Sequence, residues 1–180
     1  TADTKAAFKR WNKDSQGEPC VIYRQCDVSE YEEVRSLKDW MLHNTGKADV
    51  ILHLAGTIAD SYIEHKTLEQ LETVLRPKIR GLRNIEEIFG TEPLKSLVIF
   101  SSIAAVCGNA GQSDYAYANA YMDEFIREHA GKNKIKKMLS VNWPFWEKGG
   151  MKLTESTKQL YEKAKGVSSI EADMAFHIMN

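Results

Sequence analysis

The chain has 180 residues, 43% hydrophobic and 27% charged, which suits one domain with its own core and argues against a disordered tract. Its 24 Lys and Arg against 25 Asp and Glu leave a net charge of −1, so there is no electrostatic case for nucleic acid or an anionic membrane. The longest apolar runs, such as Leu97-Val98-Ile99-Phe100, are too short to span a bilayer, and the polar N-terminal residues do not read as a secretory signal.

In chain order, a helix-like Thr4–Asn12 stretch leads to four strand-like segments that alternate with helical ones. The first strand is predicted at Val21-Ile22-Tyr23, running into Cys26-Asp27-Val28, and the second at Val50-Ile51-Leu52, ending at His53. A long helical pattern then covers Thr67 to Phe89, with Leu68, Leu71, Leu75, Ile79, Leu82 and Ile85 spaced three or four apart. Pro77 should kink or locally break it. The third strand, Leu97–Phe100, runs into Ser101-Ser102. A helix from about Ser113 to His129 follows, and then the fourth strand, Met138–Val141, which runs into Asn142-Trp143-Pro144. Such alternation implies an α/β fold of Rossmann-like type: a parallel sheet with right-handed crossovers and helices on both faces.

Beyond Met151 the pattern changes. Lys152 to Lys165 is a polar, Lys- and Glu-rich helical stretch, and a short helix after Ser169 is predicted to bury Ala172, Met174 and Ile178. Residues 1–151 therefore read as the catalytic core, and 152–180 as a helical lid region of the same domain. The three cysteines, Cys20, Cys26 and Cys107, lack metal-ligand spacing and read as reduced thiols of a cytoplasmic protein.

A dinucleotide-binding sheet normally opens with a strand, a Gly-rich turn and a helix. No G-x-G-x-x-G occurs here, and the nearest glycine pair, Gly108-Asn109-Ala110-Gly111, lies mid-chain. Two readings stay open: a fold that binds no dinucleotide, or a numbered chain that begins after the first βαβ unit.

In open α/β sheets the site lies at the carboxyl ends of the strands, where Asp27, His53, Ser102 and Asn142 stand. Tyr115 comes thirteen residues after Ser102, and Asn119 lies one helical turn beyond it on the same face. A serine, a tyrosine and a cation suit carbonyl reduction. The hydroxyls hydrogen-bond the ketone oxygen, and the phenol gives its proton as hydride arrives. A nearby ammonium favours the phenolate, and Lys78 is the candidate for that charge. Taken singly, each residue has a plainer reading: Ser102 as a helix cap, Tyr115 as a tethered core residue, Lys78 as a surface charge, His53 as a structural hydrogen-bonder.

Several motifs occur together. They are Cys26-Asp27-Val28, His53-Leu54-Ala55-Gly56, Arg76-Pro77-Lys78-Ile79-x-Gly81 and Phe100-Ser101-Ser102-Ile103-Ala104-Ala105. Further on come Gly111-Gln112-x-x-Tyr115-Ala116-x-Ala118-Asn119-Ala120 and Asn142-Trp143-Pro144-x-Trp146-x-x-Gly149-Gly150-Met151. In this order and spacing, from about Val21 to Met151, the chain resembles the ketoreductase domains of modular polyketide synthases, within the short-chain dehydrogenase/reductase superfamily. Most of that superfamily has lysine where Asn119 stands; the ketoreductases place asparagine there and carry the lysine on the preceding helix, at Lys78. The resemblance implies Tyr115 as proton donor, Ser102 orienting the ketone oxygen, Lys78 tuning the tyrosine and Asn119 supporting the relay.

By the same resemblance the cofactor is NADPH. Asp27 and Val28 are then expected at the adenine, the His53, Leu54, Ala55 and Gly56 backbone beside the cofactor, and Asn142, Trp143 and Pro144 at the nicotinamide. Asp60, Gln112 and Met151 are expected on the substrate side, with Met151 opening the lid. Asp60 is the acidic marker of the subclass giving D-configured hydroxyls, and Cys107 stands where the opposite subclass has tryptophan. Tyr117, where an epimerising variant tends to carry proline, implies no epimerisation. The substrate would be a β-ketoacyl thioester on a phosphopantetheine-linked acyl carrier protein, with neighbouring polyketide synthase domains as partners, and neither nucleic acid nor membrane. Two alternatives remain: a free-standing short-chain dehydrogenase, and a non-reducing structural or interaction module of the same fold.

Overall fold

The computed structural model describes residues 21–147, 162–163 and 166–179. Within them helix α1 spans Tyr31–Asn44 and strand β1 Val50–His53, followed by a single 3-10 turn at Ile63–His65. Helix α2 (Leu68–Leu75), a π turn (Arg76–Arg80) and helix α3 (Gly81–Phe89) lead to β2 (Leu94–Ser102). The short α4 (Ala104–Cys107), α5 (Ser113–His129), β3 (Ile135–Trp143) and α6 (Ala172–Met179) complete the described elements.

The three described strands form one parallel sheet in the order β1-β2-β3. Helices connect successive strands, as parallel pairing requires, so the expected α/β architecture is present. The central strand β2 separates two apolar clusters because successive side chains leave a strand on opposite faces. Leu97 and Ile99 are fully buried against Leu82, Ile85 and Phe89 of α3 and Met122, Phe125 and Ile126 of α5. Phe100 points into the second cluster, with Trp143, Trp146, Ile170 and Ala175.

The predicted first strand is not a strand. Residues 21–27 join no ladder among the described residues, and Ile22 and Tyr23 are 55% and 68% exposed. A strand is stable only with a neighbouring edge to bond to, and apolar β-branched composition does not supply one. The chain turns instead into α1. The Asp27 carboxylate accepts from the Ser29 N–H at 2.9 Å and from its hydroxyl at 2.7 Å, and Glu30 N–H bonds the Asp27 carbonyl at 3.0 Å. Helix α1 was not anticipated, although Val34, Leu37 and Met41 recur three and four apart.

The Thr67–Phe89 pattern is a helix in three parts. Thr67 and Gln70 form a capping box, each side chain accepting the other's backbone N–H at 3.0 and 3.2 Å. The break at Pro77 takes the form of one π turn, since proline lacks the N–H that an α turn needs there. The extra residue in that turn carries Lys78 inward, where it is 4% exposed.

The predicted apolar side of α6 needs correcting. Ala175 is the fully buried residue, whereas Met174 and Ile178 are 60% and 61% exposed. A one-position rotation of so short a helix moves its apolar stripe, and here the small Ala175 fits against Trp143 and Ile170. Main-chain bonds from Ile170 N–H to Phe145 O (2.8 Å) and Glu147 N–H to Ile170 O (3.1 Å) hold the segment before α6 to the chain just after β3. Thr4–Asn12, most of Lys152–Lys165 and Met151 lie outside the described residues.

Candidate active site

The register of β2 and β3 sets Ser101 beside Asn142 and Ser102 beside Trp143, so both strands deliver polar residues to the same end of the sheet. Ser101 has the strand parity of Leu97 and Ile99 and faces α5, where its hydroxyl donates to the Asn119 carbonyl at 3.4 Å. Asn142 Nδ2 reaches the Ser101 hydroxyl (3.3 Å), the Ser102 carbonyl (3.2 Å) and an Asp123 carboxylate oxygen (2.6 Å). The other Asp123 oxygen accepts from the Ser140 hydroxyl. Strand ends and α5 are thereby stitched by one polar network.

Tyr115 and Asn119 do share a face of α5, and Asn119 Nδ2 donates to the Tyr115 carbonyl at 2.8 Å. Asn119 is fully buried, and its Oδ1 has no hydrogen-bond partner among the described residues. An acceptor left open in the interior marks a place where a donor, water or ligand, is missing from the protein's own set.

Lys78 reaches this face from the π turn. Its ammonium lies 5.3 Å from the centroid of the Tyr115 ring and donates to the Phe100 carbonyl at 3.3 Å. Burial pushes its pKa down to about 8, against the pull of the Asp123 carboxylate, which acts to raise it. The surface-charge reading of Lys78 is therefore overturned: the side chain is interior and aimed at Tyr115. His53 is also buried, at 3% exposure, and burial together with the Lys78 charge brings its pKa down to about 4, against weaker opposing main-chain interactions with Lys78 and Pro77. It is neutral at physiological pH.

Gly56 completes the floor. A Cβ there would stand 2.9 Å from Lys78 Cε and 3.3 Å from Nζ, so only glycine leaves the ammonium its place. Beyond the carboxyl end of β1, Leu54 and Gly56 are exposed and Ala55 is half-buried, and Gly56 runs beside the buried Lys78. A buried cation and an unpartnered buried acceptor, Asn119 Oδ1, are polar groups that suit a hydrogen-bonding cofactor.

The remaining predicted residues fall in three places. Ser102, half-buried, accepts the Ala104 N–H at 3.2 Å, so it caps the start of α4 while keeping its own proton to donate. The Asp60 carboxylate accepts from Gln112 Nε2 at 3.1 and 3.0 Å, and Gln112 Oε1 in turn accepts from Asn109 Nδ2 at 2.8 Å. Asp27 turns its carboxylate to Ser29, which holds its pKa below the usual range, and Val28 packs against Gly81. Trp143 is a core residue, its ring 5.5 Å from Phe100 and 5.1 Å from Trp146, with Pro144 half-buried next to it.

Four polar residues of this region were not foreseen: Ser101, Asp123, Lys66 and Asp114. Asp123 had a signal, four residues beyond Asn119 and eight beyond Tyr115 on one helix face. Lys66 and Asp114 form a buried ion pair at 2.7 Å, with side chains 5% and 1% exposed. Their separation of 48 residues leaves no periodic trace.

A family model described as the KR domain matches residues 2–148. Polyketide synthase PksL of Bacillus subtilis is 38% identical over 157 residues, which is 85% of this chain and 4% of that protein. The 6-methylsalicylic acid synthase of Aspergillus niger is 33% identical over 129 residues, 70% of this chain and 7% of its own length. Among solved structures, a ketoreductase domain from the bacillaene assembly line superposes with a TM-score of 0.90 at 34% identity, covering 99% of this chain and 43% of that one. The first ketoreductase of the tylosin polyketide synthase gives 0.72 at 28% identity, covering 86% and 32%. The chain thus spans a few per cent of the curated relatives' length and less than half of these solved structures.

Proposed function

The chain belongs to the KR domain family, the ketoreductase domains of polyketide synthases, and on that premise we propose that it takes part in NADPH-dependent reduction of a β-ketoacyl thioester to the β-hydroxyacyl thioester. The observation that carries this reading is the buried Lys78 ammonium set 5.3 Å from the Tyr115 ring centroid. A ketone oxygen gaining hydride must receive a proton, and a buried cation beside the ring offsets the negative charge the donor takes on as it gives that proton up.

NADPH supplies the hydride when bound. The protein's part is positional and electrostatic. Tyr115 gives its phenolic proton to the ketone oxygen as that oxygen gains negative charge, and the Ser102 hydroxyl hydrogen-bonds the same oxygen. Lys78 stabilises the phenolate left behind. Asn119 lends its open Oδ1 to the chain of donors that returns the proton. The Leu54–Gly56 main chain, His53 and the Asn142–Pro144 stretch would line the cofactor, with Asp27 and Val28 toward its adenine. Asp60 and Gln112 would flank the substrate. Asp60 favours the D-configured (B-type) product. The acyl chain would arrive on the phosphopantetheine arm of an acyl carrier protein, beside other polyketide synthase domains, in the cytoplasm.

The test mixes the protein with NADPH and a β-ketoacyl N-acetylcysteamine thioester, and follows the nicotinamide absorbance. Loss of NADPH that Tyr115→Phe abolishes is the expected result, with chiral analysis of the product reading the role of Asp60. Faster turnover of free steroids or small alcohols than of thioesters would sink the thioester assignment.

A further inference from the structure

The least expected feature near Tyr115 is an ion pair in the interior. Lys66 Nζ donates to Asp114 Oδ2 at 2.7 Å and to the Ala59 carbonyl, also at 2.7 Å. The second Asp114 oxygen accepts the backbone N–H of Tyr115 at 2.8 Å. One carboxylate therefore bridges the ammonium and the tyrosine's own amide.

The surroundings show what this does. Helix α5 begins at Ser113, and its preceding residue Gln112 gives no side-chain cap, so the first-turn N–H groups need another acceptor. Asp114 is that acceptor, and its charge suits the positive end of the helix. Burial of a carboxylate is costly without a partner, and Lys66 is the partner. Lys66 lies at the far end of the loop after β1. The same loop meets α5's entry at two other points: Ser61 N–H to the Gly111 carbonyl at 2.9 Å, and Asp60 to Gln112. Gly111, at φ +78°, makes the turn that allows the first of these. Removing either charge leaves the other buried and alone, which is costly. Buried ion pairs contribute little net stability compared with apolar packing, and their best-attested use is to fix register.

We propose that Lys66 and Asp114 are a positioning pair for Tyr115: they fix the start of α5 to the loop after β1 and so set the phenol against Lys78. This rests on the reading of Tyr115 as proton donor for its bearing on catalysis, but the structural coupling stands by itself. Lys66 reaches Tyr115 through Asp114, whose two carboxylate oxygens take the ammonium and the Tyr115 N–H.

The experiment is NMR on the full chain, using ¹⁵N-labelled protein with tyrosine rings observed, together with the thioester assay. Variants are Lys66→Gln, Asp114→Asn and Lys66→Arg, with Ile135→Ala as a core lesion at the amino end of β3, the end of the sheet away from Ser102 and Trp143. In Lys66→Gln and Asp114→Asn, amide exchange of Tyr115 is expected to speed at least tenfold relative to β2 amides, and the contact signal between the Tyr115 ring and the Lys78 side chain to weaken. Lys66→Arg keeps both and Ile135→Ala alters neither. Where turnover is measurable, kcat falls more than KM rises. An unchanged Tyr115 amide and ring contact in Lys66→Gln and Asp114→Asn would overturn the proposal, as would the same change in Ile135→Ala. Coupling seen by NMR in a chain that oxidises no NADPH would sustain the positioning pair and count against the reductase reading alone.

Discussion

Gly56 and Lys78 occupy the space of one ordinary side chain between them. A Cβ added to Gly56 would come within 2.9 Å of Lys78 Cε, while the φ of Gly56 is not one that requires glycine. The constraint is therefore on the lysine and not on the turn.

Gly56→Ala should accordingly act on function before stability. The flexible end of Lys78 yields to the methyl group, so unfolding free energy changes by less than about 1 kcal/mol. The ammonium no longer stands where it did beside Tyr115, and misplacement on this scale costs roughly 10- to 100-fold in turnover. Urea unfolding alongside kcat measurement checks the split; a large stability loss with normal kcat would contradict it.

Asp123 holds the pKa of Lys78 up, and burial holds it down. Asp123→Asn removes the upward influence, so Lys78 titrates below about 8 and the alkaline limb of the kcat–pH profile moves to lower pH. The same variant loses charge-assisted bonds from Asn142 and Ser140, at about 1–3 kcal/mol. A pH–rate series on the wild type and Asp123→Asn reads the shift directly; a limb moving upward would refute the assignment.

Lys78 should also be a residue whose removal stabilises. Its folded pKa of about 8 lies below the ordinary lysine value of 10.5, so below pH 8 it is charged in both states and its burial penalty is fully present. Between pH 8 and 10.5 the unfolded chain binds more protons, and stability rises with pH. Lys78→Met should raise stability at pH 7 by on the order of 1–3 kcal/mol while abolishing reduction. That advantage shrinks as the pH passes from 8 toward 10.5, which denaturant melts at pH 7 and pH 10 will show.

His53 gives the opposite limb. Its pKa falls from 6.5 to about 4 on folding, so the unfolded state binds the extra proton between those values. Stability contributed by the neutral imidazole is complete above pH 6.5 and drains as the pH drops toward 4, by up to about 3 kcal/mol. His53→Gln should flatten the profile of unfolding free energy between pH 7 and 4.5, at a cost in packing that is the same at both.

The periodic signals in the sequence determined much of the fold. Strands β1, β2 and β3, the helix from Ser113 to His129 and the interruption at Pro77 were legible because each depends on residues within a few positions of one another. Tyr115 with Asn119 was legible for the same reason, one helical turn being a local relation. What needed the tertiary structure were relations across long separations. Residues 21–27 read as a strand but find no edge to pair with among the described residues, and strand composition does not create a neighbour. On α6, Ala175 and not Met174 is buried, because the face is chosen by Trp143 and Ile170. Lys78 was the expected cation for Tyr115, but taken alone a lysine reads as a surface charge, and its burial at 4% exposure is decided by the π turn. Lys66 and Asp114 carried no signal at all. Two charges 48 residues apart become a pair only when folding removes the water from both.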